Sequence, residues 1–119
     1  MKKTLVFGAS LKPYRYSNLA IHRLVESGVE TLAFGLKEGE VSGVKISNSL
    51  YKISDIHTIT LYINPKRQEE YYEVIVTLAP KRVIFNPGTE NSYFYKILKN
   101  NNIEVDVACT LVLLGTGQY

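Results

Sequence analysis

Three short apolar runs in this chain stop at residues that cannot extend a strand, and a helical pattern opens behind each. Thr4-Leu5-Val6-Phe7 runs into Gly8, Thr58-Ile59-Thr60-Leu61-Tyr62-Ile63 into Asn64-Pro65, and Arg82-Val83-Ile84-Phe85 into Asn86-Pro87-Gly88. Runs this short, rich in β-branched and aromatic residues, are what strands buried on both faces look like. Behind the first, Ile21, Leu24, Val25 and Gly28 recur at i, i+3, i+4 and i+7, one apolar stripe. Ser17 or Asn18 is the expected N-cap of that helix, and Gly28 its left-handed terminator. Behind the second, Asn64 caps and Pro65 suits the first helical position. Tyr71, Val74, Ile75 and Leu78 then form the inward stripe until Ala79-Pro80 ends it. Behind the third, Thr89 or Asn91 caps a helix with Phe94, Ile97 and Leu98 inward, and Asn100-Asn101-Asn102 closes it.

Val29–Phe34 reads as a further strand, completing a strand-helix-strand unit of the right-handed kind. Residues 35–55 form a long connection with short extended pieces around Val41 and Val44-Lys45-Ile46. Ile103–Val107 alternates and is expected at a half-exposed edge, and Leu111–Leu114 should pack back on the core. Strands alternating with helices predict an α/β fold, Rossmann-like and doubly wound. The expected sheet is mostly parallel and five-stranded, with helices on both faces, in one domain over residues 1–119.

Charge and composition exclude several functions. Lys and Arg are scattered and the net charge is only +3, which fits a small anionic ligand and gives no nucleic-acid footprint. No apolar run reaches the ~20 residues of a membrane span. The apolar stretch after Lys2-Lys3 stops at Gly8-Ala9-Ser10, too short for a secretory signal, so a cytoplasmic protein is expected. A single cysteine, Cys109, leaves no internal disulfide, and His22 and His57 lack ligand spacing, so no metal is expected. His22 and His57 read as bystanders, and Cys109 as a small core residue unless exposure and a lowered pKa make its thiol functional; a reductase would have only Tyr62 or Cys109 roughly placed as proton donor. The sequence carries no Ser/His/Asp order, no H-E-x-x-H and no acid/base pair, hence no positive sign of catalysis.

In an open parallel sheet, ligands sit beyond the carboxyl ends of the strands, where strand order reverses. The loop Gly8-Ala9-Ser10-Leu11-Lys12-Pro13 opens toward a helix start, whose free N–H groups and dipole attract anions, and Ser10, Lys12 and Arg15 add a hydroxyl and charge. It is neither G-x-G-x-x-G nor a P-loop. Gly8 serves equally as a tight-turn glycine, and Lys12 and Arg15 as a solvated face. The second strand ends in Phe34-Gly35-Leu36-Lys37, with no carboxylate where an NAD site places one. Lys37 there favours a phosphorylated ribose, as in coenzyme A or, less strongly, NADP; the alternatives are that Lys37 is a plain surface residue and that Glu38 or Glu40, close behind, supplies the carboxylate. The turns at Asn64-Pro65 and Asn86-Pro87-Gly88-Thr89-Glu90-Asn91 suit equally the flanking of an adenine or pantetheine arm and plain capping.

In order along the chain, Val6-Phe7-Gly8-Ala9-Ser10, Pro13, Tyr16-Ser17-Asn18, Gly43, Pro65, Pro80-Lys81-Arg82-Val83-Ile84-Phe85-Asn86-Pro87-Gly88-Thr89-Glu90-Asn91 and Ala108-Cys109-Thr110 resemble the CoA-binding domain family. These are small stand-alone bacterial proteins, and the same domain forms the N-terminal part of the succinyl-CoA synthetase alpha subunit. The resemblance implies binding of coenzyme A or an acyl-CoA more strongly than turnover. It places phosphate at Gly8, Ala9 and Ser10, with Tyr16, Ser17 and Asn18 behind. The end of the second strand, Gly35 and Lys37, would meet the adenosine. Ile63-Asn64-Pro65 would meet its base or ribose, and Pro87-Gly88-Thr89 the other side. The family's usual V-N-P-like turn after the second strand is replaced here by Phe34-Gly35-Leu36-Lys37. An NADP-dependent reductase is the enzymatic alternative, and a ligand-free interaction module built on the nine tyrosines the other. A second copy of the chain or an acyl-CoA-metabolising protein is the kind of partner a binding role would bring.

Overall fold

The computed structural model describes residues 2–119. Strand β1 (Thr4–Phe7) leads through helix α1 (Tyr16–Glu26) to β2 (Thr31–Phe34), then β3 (Gly39–Val41), β4 (Val44–Ser47) and β5 (Thr58–Leu61). Helix α2 (Pro65–Gln68), a 3₁₀ turn (Glu69–Tyr71) and α3 (Tyr72–Leu78) precede β6 (Arg82–Phe85). Helix α4 (Ser92–Asn100), β7 (Glu104–Val107) and α5 (Thr110–Gly115) complete the order.

The strands form one sheet in the order β3-β4-β2-β1-β5-β6-β7, parallel throughout except between β3 and β4. The sheet has seven strands and not the expected five. The two additional strands are the extended pieces of the long connection, paired as a hairpin with Val41 opposite Val44. Its two turn residues, Ser42 and Gly43, both have positive φ, 51° and 80°. A type I′ turn requires that, and it matches the twist of the flanking strands. Glu104–Val107 lies at the sheet edge, paired in parallel with β6.

Alternate side chains of the strands point to opposite faces, and each face carries its own core. On one, Leu5, Phe7, Ile59, Leu61, Val83 and Phe85 pack against Ile75 of α3 and Phe94 and Leu98 of α4. On the other, Val6, Ala33 and Ile46 pack against Ile21 and Leu24 of α1, with Leu114 of α5 alongside. Of the expected buried stripe, Val25 lies on the exposed flank of α1 and Gly28 lies exposed just beyond its end. Gly28, at φ 75°, terminates α1 as expected, its N–H donating to Val25 O while Val29 N donates to Leu24 O.

Two helix boundaries differ from expectation. Helix α1 opens at Tyr16 with Arg15 at the N-cap, so Ser17 and Asn18 lie buried inside its first turn. The amide of Asn18 reaches back to the carbonyl of Ser10 at 2.9 Å instead of capping its own helix. The helix expected from Pro65 to Leu78 is broken by the 3₁₀ turn. The break falls between two anchors: the Gln68 amide, bonded to two distant carbonyls, and the Tyr71 ring, packed edge-on against Phe7 and Phe34.

Candidate functional site

Strand order reverses between β1 and β5, because the chain leaves β1 toward β2 on one side and returns to β5 on the other. The turns beyond their carboxyl ends meet at this point. Gly8 has φ 97°, and a Cβ there would stand 2.7 Å from Cγ2 of Ile63. On its far side the turn is pressed against the end of β2, where a Cβ on Gly35 would stand 2.3 Å from the carbonyl oxygen of Ala9. Both glycines are therefore required by close approach, and Gly8 by its backbone conformation as well. The structure thus brings together Gly8, Ala9, Gly35 and Ile63.

The backbone donors of this turn are partly committed. Gly8 N and Ala9 N both donate to the carbonyl of Phe34, at 2.9 and 2.8 Å. Those two amides are closed to a phosphate, so of the three residues at which the resemblance places phosphate only Ser10 has a free backbone N–H. What remains open begins one residue later. Among the described residues no protein group accepts from the amides of Ser10 or Leu11. The Ser10 hydroxyl accepts from Lys12 N at 3.1 Å and keeps its own proton to donate. Arg15 provides no side-chain cap, leaving the first amides of α1, at Tyr16 and Ser17, free at the positive end of an eleven-residue helix. Ser17 is only 4% exposed, and its hydroxyl bonds to no described residue.

Asn18 holds the loop through the Ser10 carbonyl and does not face outward. Lys12, Arg15, Tyr16 and Lys37 are exposed around the turn, with Tyr14 72%, Tyr16 69% and Leu36 70% exposed.

The turns behind β5 and β6 form the other wall. Asn64 caps α2 through Arg67 N at 3.0 Å, and Asn91 caps α4 through Phe94 N at 3.2 Å. Asn86-Pro87-Gly88-Thr89 closes as a β-turn by Thr89 N to Asn86 O at 3.0 Å, with Gly88 at φ 93° as a type II turn needs. Thr89 is buried, and its hydroxyl donates to Asn86 O at 2.7 Å. Pro87 and Gly88 are exposed and Pro65 half-buried.

Two residues organise this wall, and one of them, Gln68, was not visible to sequence reasoning. Gln68 is fully buried; its amide donates to Ile63 O at 2.9 Å and Thr89 O at 2.8 Å, while its oxygen accepts from Asn91 at 2.8 Å. A polar residue on the inward stripe that continues to Tyr72 and Ile75 is the signal that could have found it. Asn86 donates to Thr60 Oγ1 and Leu61 O and accepts from Thr110 N at 2.9 Å, so a strand-end side chain caps α5. Beside it, burial pushes the Tyr62 phenol up to about 12, with the hydroxyls of Thr60 and Thr110 pulling the other way. Cys109 is half-buried at the N-cap of α5. His57 lies at the opposite rim of the sheet, its Nδ1 bonded to Thr58 Oγ1 at 2.8 Å. Among the described residues no three His, Cys, Asp or Glu side chains group closely enough to share a metal ion, and no helix is long and apolar enough to cross a membrane.

An open groove of about 660 Å³ continues outward from this wall, lined by Pro65, Lys66, Glu69, Tyr72, Asn91 and Tyr93.

A mostly parallel α/β sheet with open amides at its switch point defines the class: domains whose ligand site lies beyond the carboxyl ends of the strands. The chain belongs to the CoA binding domain family, whose pattern matches residues 2–115. It is similar over 100% of its length, and 98% of the other's, to an uncharacterized protein of known crystal structure, with 49% identity and a TM-score of 0.96. A hypothetical protein from Pyrococcus horikoshii OT3 is 32% identical, over 93% of this chain and 80% of that one, with a TM-score of 0.83. Cell-free ID.343 from Thermus thermophilus shares the fold at 23% identity, over 99% and 91% of the two chains, with a TM-score of 0.86. No curated protein matches the chain.

Proposed function

We propose that this protein is a Rossmann-like, single-domain binder of coenzyme A or an acyl-CoA that holds the nucleotide end and performs no reaction itself. The observation that carries this reading is the family match along residues 2–115. The geometry supports it. The amides of Ser10, Leu11, Tyr16 and Ser17 and the hydroxyls of Ser10 and Ser17 supply donors without acceptors beside the switch point, where an anionic diphosphate would be neutralised by the start of α1. Lys12, Arg15 and Lys37, all exposed, supply charge for the diphosphate or the 3′-phosphate. Gly8 and Gly35 let the turns behind β1, β2 and β5 pack together, and with Ala9 they set the floor on which the phosphate would rest. Asn18 holds the Ser10 carbonyl, and Ile63, Asn64, Pro65, Pro87, Gly88 and Thr89 bound the adenosine.

Thermal denaturation with CoA, acetyl-CoA, NAD and NADP tests the reading. Ligand at about 100 times Kd stabilises by ~2.7 kcal/mol, roughly ten degrees for a domain of this size. A rise with CoA and acetyl-CoA alone is expected. A rise with NADP alone would make the protein a dinucleotide binder, and no rise with any of the four would remove the nucleotide site.

A further inference from the structure

We infer that the groove lined by Pro65, Lys66, Glu69, Tyr72, Asn91 and Tyr93 receives the amide-bearing pantetheine arm of the thioester, with the Tyr72 hydroxyl as its hydrogen-bond donor; this rests on the CoA reading above. Ile63 O and Thr89 O can only accept, so the Gln68 Nε2 must face them, at 2.9 and 2.8 Å. The Gln68 oxygen therefore points the other way, where it accepts from Asn91 Nδ2 at 2.8 Å. The Asn91 orientation is fixed independently, because its oxygen accepts from the backbone N–H of Phe94. Asn91 Nδ2 also donates to the Tyr72 hydroxyl at 2.9 Å. That hydroxyl is thus an acceptor within the network, and its own proton must go elsewhere. No described residue accepts it. The wall of backbone turns ends in an uncommitted hydroxyl donor, and the groove lies beside it.

The Tyr72 ring cannot easily swing away, since it packs on Phe94 with centroids 4.4 Å apart and on Tyr93 at 5.9 Å. The groove volume of about 660 Å³ falls within the ~300–1,000 Å³ of small-molecule sites. Its charges, Lys66 and Glu69, offset one another, which suits a neutral polar occupant poorly matched to a diphosphate. Tyr72 and Tyr93 offer ring faces to methylene and methyl groups, and Tyr72 offers a proton to a carbonyl. An arm of alternating amides and methylenes has that chemistry. The groove shares Pro65 with the turn behind β5 and is joined through Gln68 to the turn behind β6, so a nucleotide held between those turns has its arm directed here.

Titration calorimetry of CoA and of adenosine 3′,5′-bisphosphate, which lacks the arm, tests this on the native chain, Tyr72→Phe and Tyr93→Ala. Tyr93 is 67% exposed, so its variant stays folded even if loss of the Tyr72 hydroxyl disturbs Asn91. Each variant should bind CoA about three- to tenfold more weakly while the bisphosphate binds as before, the size expected for one hydrogen bond or one packed ring. Unchanged CoA affinity in both variants would overturn the inference and leave the CoA reading standing. An equal loss for both compounds would overturn it by placing the nucleotide in the groove. Failure of the native chain to bind either compound would instead overturn the CoA reading beneath it.

Discussion

The turn behind β1 and the turn behind β6 occupy equivalent places at the carboxyl rim of the sheet, and they treat their polar groups in opposite ways. Behind β6, almost everything is satisfied internally: Asn86, Thr89, Gln68 and Asn91 exchange bonds with the backbone and with one another. Behind β1, the helix has no side-chain cap, and its first amides and the Ser17 hydroxyl find no partner among the described residues. A helix terminus without a cap gives up about 1 kcal/mol of stability. The difference teaches where this fold is built for rigidity and where it is left unfinished for something else to complete.

Substitutions can break that comparison, the most disruptive first. Gln68→Leu would leave the carbonyls of Ile63 and Thr89 and one donor of Asn91 unpaired, at a cost of about 3–4 kcal/mol in urea unfolding. A loss below about 1 kcal/mol would show that the β6 turn holds itself without the buried amide. Gly35→Ala forces a Cβ against the Ala9 carbonyl and should cost about 1–3 kcal/mol, read as a lowered midpoint in the same assay. Normal stability there would mean that the β1 turn is free to slide off β2.

The β1 turn should respond in the opposite sense. Ser17→Ala should leave unfolding within about 0.5 kcal/mol of the native chain while weakening CoA roughly three- to tenfold by calorimetry. Equal CoA affinity would strike the Ser17 hydroxyl from the site. Smallest of all, Lys37→Ala should weaken CoA about twofold at low salt, an effect that vanishes at high salt and with dephospho-CoA. Equal losses for CoA and dephospho-CoA would place Lys37 away from the 3′-phosphate.

Much of this was legible along the chain. The strands at Thr4–Phe7, Thr58–Leu61 and Arg82–Phe85 and the caps at Asn64 and Asn91 follow from local chemistry: buried strands need continuous apolar runs, and helix starts need a side-chain acceptor. The hairpin of β3 and β4 was not legible as part of the sheet. Each half has at most four residues, and the Ser42-Gly43 turn signals a hairpin without saying that β4 will line up beside β2. The N-terminus of α1 misled for a related reason. Ser17 and Asn18 are good caps by type, but the long-range bond from Asn18 to Ser10 uses the side chain elsewhere.

The amino-acid order by itself determined the alternation of strands and helices, the turns that punctuate it and the family to which the chain belongs, because those depend on neighbours a few residues apart. Only the tertiary structure decided which amides stay open. Gly8 and Ala9 lose theirs to Phe34, twenty-odd residues away, and Gln68 finds its acceptor in Thr89 across another strand. A hydrogen-bonding group is spent or free according to what folding brings beside it, and that is not written in its own segment of chain.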